Sequence, residues 1–194
     1  MKIAITGGIG SGKSFICQHL AKRGIKVYNC DEAAKQLLRT SPQMQLQLSK
    51  LVGPELYRNN QLQKKILASF ILENSRYARA VNDIIHPAVA RDFETSGFDW
   101  LESAILFDSN FISRTPIHFV VCVTAPTPLR IERIVKRDNI TPEQAKKWVD
   151  RQMSQAEIIS RSNYEIINDG QYDINRQLDQ LLQTLEENEL LNKK

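Results

Sequence analysis

The sequence has few of the features that mark membrane, metal-bound or disulfide-stabilised proteins. It contains only three cysteines, and Cys17, Cys30 and Cys122 show no C-x-x-C or other metal-ligand spacing. Their apolar neighbours indicate plain buried thiols, and an odd number of cysteines fits a reducing compartment. The longest apolar stretches, such as FVVCVTA at 119–125, are far too short to span a bilayer. We therefore expect a cytoplasmic protein with no membrane partner.

The sequence also lacks a large excess of positive or negative residues. Lys and Arg number 26 against 22 Asp and Glu, a net charge of +4 that suits anionic small molecules as well as nucleic acid. No run of Lys or Arg is interleaved with aromatic residues, so we expect no nucleic-acid partner. The opening MKIAIT leads straight into a glycine-rich loop, and we interpret it as a buried strand rather than a signal peptide.

Short apolar runs alternate with amphipathic stretches along the 194 residues, which is enough chain for one α/β domain. This alternation predicts an α/β fold with a five-stranded parallel sheet and helices on both faces. The predicted strands are KIAIT (2–6), IKVYN (25–29), a third strand that with its outgoing turn spans DWLE and SAILF (99–107), IHFVVCVTA (117–125) and YEIIN (164–168). Residues 42–93 have a helical pattern with no clear strand and with Pro87 as an interruption, which indicates a helical insertion.

The most informative segment is Gly7–Ser14, GGIGSGKS, which has the phosphate-loop pattern G-x-x-x-x-G-K-S. An apolar strand precedes it and an amphipathic helix follows it, as that pattern requires. Its glycines let the backbone N–H groups turn toward a polyphosphate, Lys13 can reach the β- and γ-phosphates, and the Ser14 hydroxyl can bind Mg²⁺. The segment therefore predicts nucleoside triphosphate binding.

Residues beyond the loop bear on what the phosphate is used for. The guanine-reading motif N-K-x-D is absent, since the chain ends in Asn192, Lys193 and Lys194. Two classes of phosphate-loop protein stay open: a kinase of a small acceptor, or a nucleotide-binding module without chemistry. Three arginines at spacing i, i+3, i+7 share one face of a predicted helix, namely Arg130, Arg133 and Arg137. They either neutralise charge in phosphoryl transfer or form a solvated basic face with Glu132 and Asp138 as partners.

Asp31 is the other informative residue outside the loop. It follows the second predicted strand, at the carboxyl edge where ligands bind in open α/β sheets. A carboxylate there can orient an acceptor hydroxyl or take its proton. It could equally act as the N-cap of the helix that follows, and the two functions are compatible.

Several ordered motifs resemble those of the dephospho-CoA kinase family over nearly the whole chain. They are ITGGIGSGKS (5–14), GIKVYNCDEAA (24–34), IIHPAV (84–89), ESAILFDSNF (102–111), RIERIVKRD (130–138), RQM (151–153) and IINDG (166–170). The resemblance implies transfer of the ATP γ-phosphate to the ribose 3′-hydroxyl of dephospho-CoA, the last step of coenzyme A synthesis. It departs from the family at Phe15, where Thr is usual, at Asn29 in place of an aspartate, and at Ala104 in place of proline.

The resemblance also implies functions for individual residues. The expected catalytic residues are Lys13, Asp31, Arg133 and Arg137. The expected ATP-binding residues are Gly8, Gly10, Ser11, Gly12, Lys13, Ser14, Phe15 and Asn168. The expected acceptor-binding residues are Asp31, His86 and Gln152, although His86 could simply end a helix before Pro87. Ser14 is expected to hold Mg²⁺, with Glu102, the acid at the strand end, assisting through water. Asp108 is the acid that closes the same motif.

The resemblance divides the single kinase domain into three parts: a core of 1–41, 94–128 and 162–194, an acceptor-binding insertion of 42–93, and a lid of 129–161. ATP and dephospho-CoA are the expected partners, with Mg²⁺ as cofactor and a monomer or weak homo-oligomer as the assembly. A kinase of another small hydroxylated or nucleotide acceptor is the alternative enzyme. A regulatory or nucleic-acid-binding protein of the same fold would instead show a steep salt dependence of DNA or RNA affinity.

Overall fold

The computed structural model describes residues 1–191; residues 192–194, expected at the end of the core, lie outside the described residues. The strands are β1 (Ile3–Thr6), β2 (Val27–Asn29), β3 (Tyr57–Arg58), β4 (Gln61–Leu62), β5 (Trp100–Glu102), β6 (Phe119–Thr124) and β7 (Tyr164–Ile167). The α-helices are α1 (Lys13–Lys22), α2 (Cys30–Thr40), α3 (Pro42–Val52), α4 (Lys64–Glu73), α5 (Ser75–Thr95), α6 (Thr127–Asp138), α7 (Pro142–Asp150), α8 (Gln155–Ser160) and α9 (Ile174–Leu191).

The chain forms two compact units. The first contains Met1–Tyr28, Phe98–Asp108 and the chain from Pro116 onward, and the second contains Asn29–Gly97 and Ser109–Thr115. Helix α2 thus groups with the helical segment that follows it. The expected lid, 129–161, consists of most of α6 together with α7 and α8, all in the first unit. Within residues 1–191, no helix has the length and apolar character needed to cross a membrane.

The first unit is built on the five-stranded sheet, in the order β2-β5-β1-β6-β7. Strand β1 lies between β5 and β6 and is parallel to both, with Ile3 opposite Trp100 on one side and Phe119 on the other. Every residue of β1 and β6 is buried. Such continuous apolar runs are typical of parallel strands whose two faces are both covered by helices. The predicted sheet is therefore confirmed, with Ile16 and Leu20 of α1 packed into its core.

The second unit has its own core, formed by Met44, Leu48, Leu56, Leu67 and Val81. The hairpin β3–β4 lies within this unit, so the prediction that 42–93 contains no strand is wrong. Its two-residue turn, Asn59-Asn60, has φ of 49° and 61°. Positive φ at both central positions is the backbone of a type I′ turn, and Asn adopts this region more readily than most residues.

The prediction that Pro87 interrupts the helical pattern is also wrong. Helix α5 continues through Pro87 from Ser75 to Thr95. Proline removes one backbone hydrogen bond and disfavours a helix interior by about 3 kcal/mol. The helix buries Val81 before the proline and Val89, Ala90 and Phe93 after it, and this packing stabilises both halves. His86 therefore lies inside a helix and does not end one.

Candidate active site

The phosphate loop connects β1 to α1 in a conformation that only glycine adopts easily. Gly10 and Gly12 have φ of 78° and 94°, in the left-handed region. A Cβ atom on Gly10 would lie 2.6 Å from the backbone carbonyl oxygen of Arg130, at the start of α6. The glycines thus allow both the turn of the loop and the close approach of a neighbouring helix.

Lys13, the first residue of α1, folds its side chain back over the loop. Its Nζ donates to the carbonyl oxygen of Gly7 at 2.9 Å and to that of Gly8 at 3.4 Å. Only 9% of the residue is exposed. A positive charge is therefore held inside the loop, next to backbone that can cradle an anion.

Ser14 and Glu102 bring two oxygen donors together beside the loop. The Ser14 hydroxyl donates to Glu102 Oε1 at 3.3 Å, and Glu102 is the last residue of β5. The Cys17 thiol donates to Glu102 Oε2 at 3.7 Å. Burial raises the pKa of Cys17 well above its ordinary value, and the charge of Glu102 raises it further, so the thiol stays protonated as a donor. The expectation of a plain buried thiol is wrong for Cys17, which is partly exposed.

Arg130 approaches the loop with a buried guanidinium. Its Nε donates to the carbonyl oxygen of Ile9 at 2.9 Å, and the residue is 3% exposed. Within residues 1–191, its buried Nη2 has no hydrogen-bond acceptor, and a Cβ atom on Gly8 would collide with it. Burial lowers the pKa of Arg130, but a guanidinium still keeps its charge in proteins. A buried charged donor next to a phosphate loop fits an anionic oxygen.

Arg133 and Asn168 tie the loop to α6 and to the end of β7. Arg133 Nη1 donates to the carbonyl oxygens of Gly10 and Ser11 at 3.3 Å each, and Nη2 donates to that of Asn168 at 2.9 Å. The buried Asn168 amide donates to the Ser11 carbonyl oxygen at 2.8 Å. These bonds use the carbonyl side of the loop and hold its backbone in place.

Gln152 also contacts the loop. Its Oε1 accepts a hydrogen bond from the Ile9 amide at 2.7 Å. The structure therefore groups this expected acceptor-binding residue with the phosphate loop. Phe15, the residue after Ser14, is 45% exposed, and its ring lies 4.6 Å from that of His19. Because phenylalanine has no hydroxyl, this position can offer a phosphate only its backbone amide.

Arg137 differs from the other two arginines of α6. Its guanidinium pairs with the carboxylate of Asp138 at 2.7 Å and 3.0 Å on the protein surface. The side chain is 60% exposed. The structure thus brings Arg130 and Arg133 to the loop and leaves Arg137 on a solvated face. The sequence pattern contained Arg130, because it shares the helix face of Arg133, but Arg130 was not among the expected catalytic residues.

Asp31 and His86 belong to the second unit. Asp31 is exposed in the first turn of α2, but it is not the N-cap as the sequence had suggested it could be. The cap is Asn29, whose Oδ1 accepts from the Glu32 amide at 2.9 Å. His86 is half-buried in α5, and burial, with a smaller contribution from the Arg114 charge, lowers its pKa. His86 is therefore neutral at pH 7.

The chain is similar to known proteins both in sequence and in structure. A sequence model of the dephospho-CoA kinase family matches residues 1–173. A dephospho-CoA kinase from Bacteroides fragilis is 42% identical over 178 residues, covering 88% of this chain and 86% of that protein. The crystal structure of TT1252 from Thermus thermophilus is 28% identical with a TM-score of 0.79, covering 95% of this chain and 97% of that one.

A more distant structure supports the same fold. A dephospho-CoA kinase from Campylobacter jejuni is 19% identical with a TM-score of 0.66, covering 97% of this chain and 100% of that one. The resemblance inferred from the ordered motifs is therefore confirmed, as is the α/β fold of a phosphate-loop kinase. This chain belongs to the dephospho-CoA kinase family.

Proposed function

We propose that this protein transfers the γ-phosphate of ATP to the ribose 3′-hydroxyl of dephospho-CoA, giving coenzyme A and ADP. Membership of the family identifies the reaction. The observation that carries the proposal is the phosphate loop itself, in which Lys13 and the buried Arg130 place two positive charges beside glycine backbone. Such a site is suited to a triphosphate and to the charge that develops as its terminal phosphoryl group is transferred.

In this proposal the loop binds the phosphates of ATP through its backbone amides and its cations. Lys13 releases the carbonyl oxygens of Gly7 and Gly8 and reaches the β- and γ-phosphates. Arg130 donates its buried Nη2 to a phosphate oxygen, which supplies the acceptor that this atom lacks among the described residues. Both contacts become stronger as charge spreads over the equatorial oxygens of the γ-phosphoryl group.

The residues next to the loop also fit a magnesium ion. Ser14 Oγ and Glu102 Oε1, 3.3 Å apart, are hard oxygen donors of the kind that Mg²⁺ prefers. Mg²⁺ commonly binds through one or two protein oxygens, with waters and substrate phosphates as its other ligands. When bound, the ion would neutralise part of the phosphate charge. Cys17 holds Glu102 Oε2 from the other side and so keeps the carboxylate oriented.

Asp31 is proposed to receive the acceptor. The oxygen of the ribose 3′-hydroxyl forms a bond to the γ-phosphorus while the bond from that phosphorus to the β,γ-bridging oxygen breaks, and the electron pair leaves with ADP. Asp31 accepts a hydrogen bond from the hydroxyl, which orients it, and takes the proton late in the transfer. Its side chain is exposed, so it is accessible to a substrate.

Two features of the cellular enzyme stay predictions from the sequence. We place it in the cytoplasm, where ATP and a reducing environment are present, in keeping with its free cysteines. We expect a monomer or weak homo-oligomer, which light scattering after size-exclusion chromatography would measure.

The acceptor test separates this proposal from a kinase of another small molecule. With ATP and Mg²⁺, dephospho-CoA is expected to gain one phosphoryl group on its ribose 3′-hydroxyl, detected by mass spectrometry and phosphorus NMR. Shikimate, gluconate and AMP serve as control acceptors and should react poorly. Efficient phosphorylation of one of them, with no coenzyme A formed, would replace the proposed function with the alternative enzyme.

Arg133 is expected to matter more than Arg137. Replacing Arg133 with Ala removes the bonds that shape the loop and a positive charge beside it, so kcat should fall by about 10²–10³-fold, the effect typical of a preorganised donor. Arg137→Ala should cost less, because this guanidinium is exposed and paired with Asp138. Arg133→Lys should rescue poorly, since an ammonium cannot bond to three carbonyl oxygens in a planar fork.

The matched control is Lys136→Ala, which removes an exposed charge from the same helix. Initial rates at saturating ATP and dephospho-CoA give kcat, and calorimetry gives the Kd for ATP. Equal losses in the Arg133 and Arg137 variants would show that both arginines move onto the phosphates. Wild-type rates in both would show that neither guanidinium contributes to phosphoryl transfer.

A further inference from the structure

The tip of the phosphate loop is a tight turn whose central peptide group is easily rotated. Residues 8–11 form this turn, in which the Ser11 amide donates to the Gly8 carbonyl oxygen at 3.2 Å. Gly10, the third residue, has φ of 78°, which is typical of a type II turn. Turns of types I and II differ mainly in the orientation of the central peptide group, here the one between Ile9 and Gly10. Because glycine populates both signs of φ, this peptide group rotates at little cost unless other groups hold it.

Two side chains hold the peptide groups on either side of Ile9. Arg130 Nε donates to the Ile9 carbonyl oxygen at 2.9 Å, which fixes the central peptide group of the turn. Since that peptide bond is trans and planar, the Gly10 N–H points the opposite way from the Ile9 carbonyl. Gln152 Oε1 accepts from the Ile9 amide at 2.7 Å, which fixes the preceding peptide group. The orientation of the backbone amides at the tip of the loop therefore depends on both contacts.

The backbone of Gln152 is held by contacts that do not involve the loop. Gln152 lies in the short connection between α7 and α8, and its amide donates to the Val149 carbonyl oxygen at 3.2 Å. Three residues later, at the start of α8, Gln155 Oε1 accepts from the Ala125 amide at 3.2 Å. Ala125 follows β6 directly, so this second contact binds the connection to the end of the central sheet. The side chain of Gln152 therefore reaches the loop from a backbone that is already fixed.

We infer that Gln152 is a positioning residue for the ATP site, an inference that rests on the proposed use of ATP as donor. By accepting from the Ile9 amide, it keeps the tip of the phosphate loop in one conformation before ATP binds. The apparent Kd for a ligand increases as the binding-competent conformation becomes rarer, so this contact favours ATP binding. Gln152 thus acts on the phosphate donor through the loop, whereas the resemblance implied that it binds the acceptor.

The inference is tested with Gln152→Met, which keeps an unbranched side chain of similar length but lacks the amide oxygen. The Kd for ATP, measured by calorimetry without any acceptor, should rise about 2- to 10-fold, the range that corresponds to one neutral hydrogen bond. The KM for dephospho-CoA at saturating ATP should stay unchanged, because the lost contact is made to the loop that binds the donor. Thermal denaturation reports whether the variant is folded.

The matched control is Gln155→Met. Gln155 is half-buried like Gln152 and also accepts from a backbone amide, but that amide belongs to Ala125, outside the loop. The control should leave the Kd for ATP unchanged. Amide hydrogen exchange, followed by NMR, reports the two contacts directly. The Ile9 amide should lose protection only in Gln152→Met, and the Ala125 amide only in Gln155→Met.

Three results would overturn this inference. An unchanged Kd for ATP in a folded Gln152→Met protein would refute it, and a raised KM for dephospho-CoA beside that unchanged Kd would return Gln152 to acceptor binding. A lower Kd would refute it too, because Gln152 would then compete with phosphate for the Ile9 amide. Equal increases in the Kd for both variants would show that the effect does not depend on the loop contact. A failure of the unaltered enzyme to form coenzyme A would refute the proposed acceptor alone, since ATP binding is measured without it.

Discussion

The Lys13→Ala enzyme is expected to turn over about 10³-fold more slowly than the unaltered enzyme, or slower still, at saturating ATP and dephospho-CoA. Lys13 is 9% exposed, and its ammonium is held inside the phosphate loop by two carbonyl oxygens. Alanine removes the charge that stabilises the transferring phosphoryl group, and solvent water cannot supply an equivalent fixed charge in that position. The loss should therefore appear mainly in kcat.

The fold should survive this substitution. Alanine is the best helix former, and Lys13 is the first residue of α1. The control is Lys22→Ala, which removes an exposed lysine at the other end of the same helix and should leave kcat unchanged. Single-turnover rates, the Kd for ATP and thermal denaturation measured on both variants separate chemistry from binding and folding. A near-normal kcat in a folded Lys13→Ala protein would refute the assignment of this loop to catalysis.

The sequence predicted the central sheet correctly because burial of a strand produces an easily identified run of residues. Strands β1 and β6 are buried along their whole length, so nearly all their residues are apolar or small. The phosphate loop was equally predictable, since its glycines satisfy positive φ and a close helix contact at Gly10. Burial restricts the strands to apolar or small residues, and backbone conformation restricts the loop to glycine. Both restrictions are therefore visible in the sequence.

Elements decided by competition between local residues were harder to predict. Asn29 caps α2 although Asp31, two residues later, is also a favoured cap residue. The short helix α8 was not predicted, although Ser154 caps it by accepting from the Glu157 amide, a spacing visible as S-x-x-E. In both cases the sequence contains residues that can cap a helix. Which of them does so depends on where the preceding strand or loop ends.

Tertiary packing overruled local preference in the second unit. Pro87 disfavours a helix interior, yet α5 buries residues on both sides of it. The β3–β4 hairpin has strands of two residues, too short for any alternating pattern, and its turn is Asn-Asn rather than the usual Asn-Gly. Neither feature could be read from periodicity, because both are stabilised by contacts distant in sequence.

Among the site residues, sequence reasoning missed those that act through other side chains. The spacing of Arg130, Arg133 and Arg137 defined a helix face but not its depth of burial. Only the structure distinguishes the 3% exposure of Arg130 from the exposed pair of Arg137 with Asp138. Cys17 was also missed, since a thiol that orients a carboxylate has the same sequence environment as a thiol that merely fills space.

Asp31→Asn should lower kcat by about 10²–10⁴-fold, the range typical of general-base groups, with little change in the Kd for ATP. Asparagine keeps the size and a hydrogen-bond acceptor but loses the charge that orients the acceptor hydroxyl and takes its proton. Asp31→Ala should be at least as impaired. Because Asn29 provides the N-cap, Asp31 contributes to α2 through its charge, which lies near the helix N-terminus and also interacts with Lys35. That contribution is small, so the melting temperature should fall by no more than about 2–4 °C.

The control for Asp31 is Glu32→Gln, which removes the neighbouring exposed carboxylate from the same helical turn. A loss of charge near the helix N-terminus would affect both variants alike, whereas a loss of the acceptor's partner affects kcat only in the Asp31 variants. Full turnover in Asp31→Asn would move the search for the catalytic carboxylate to Glu102, which ends β5 beside Ser14, and then to Asp108.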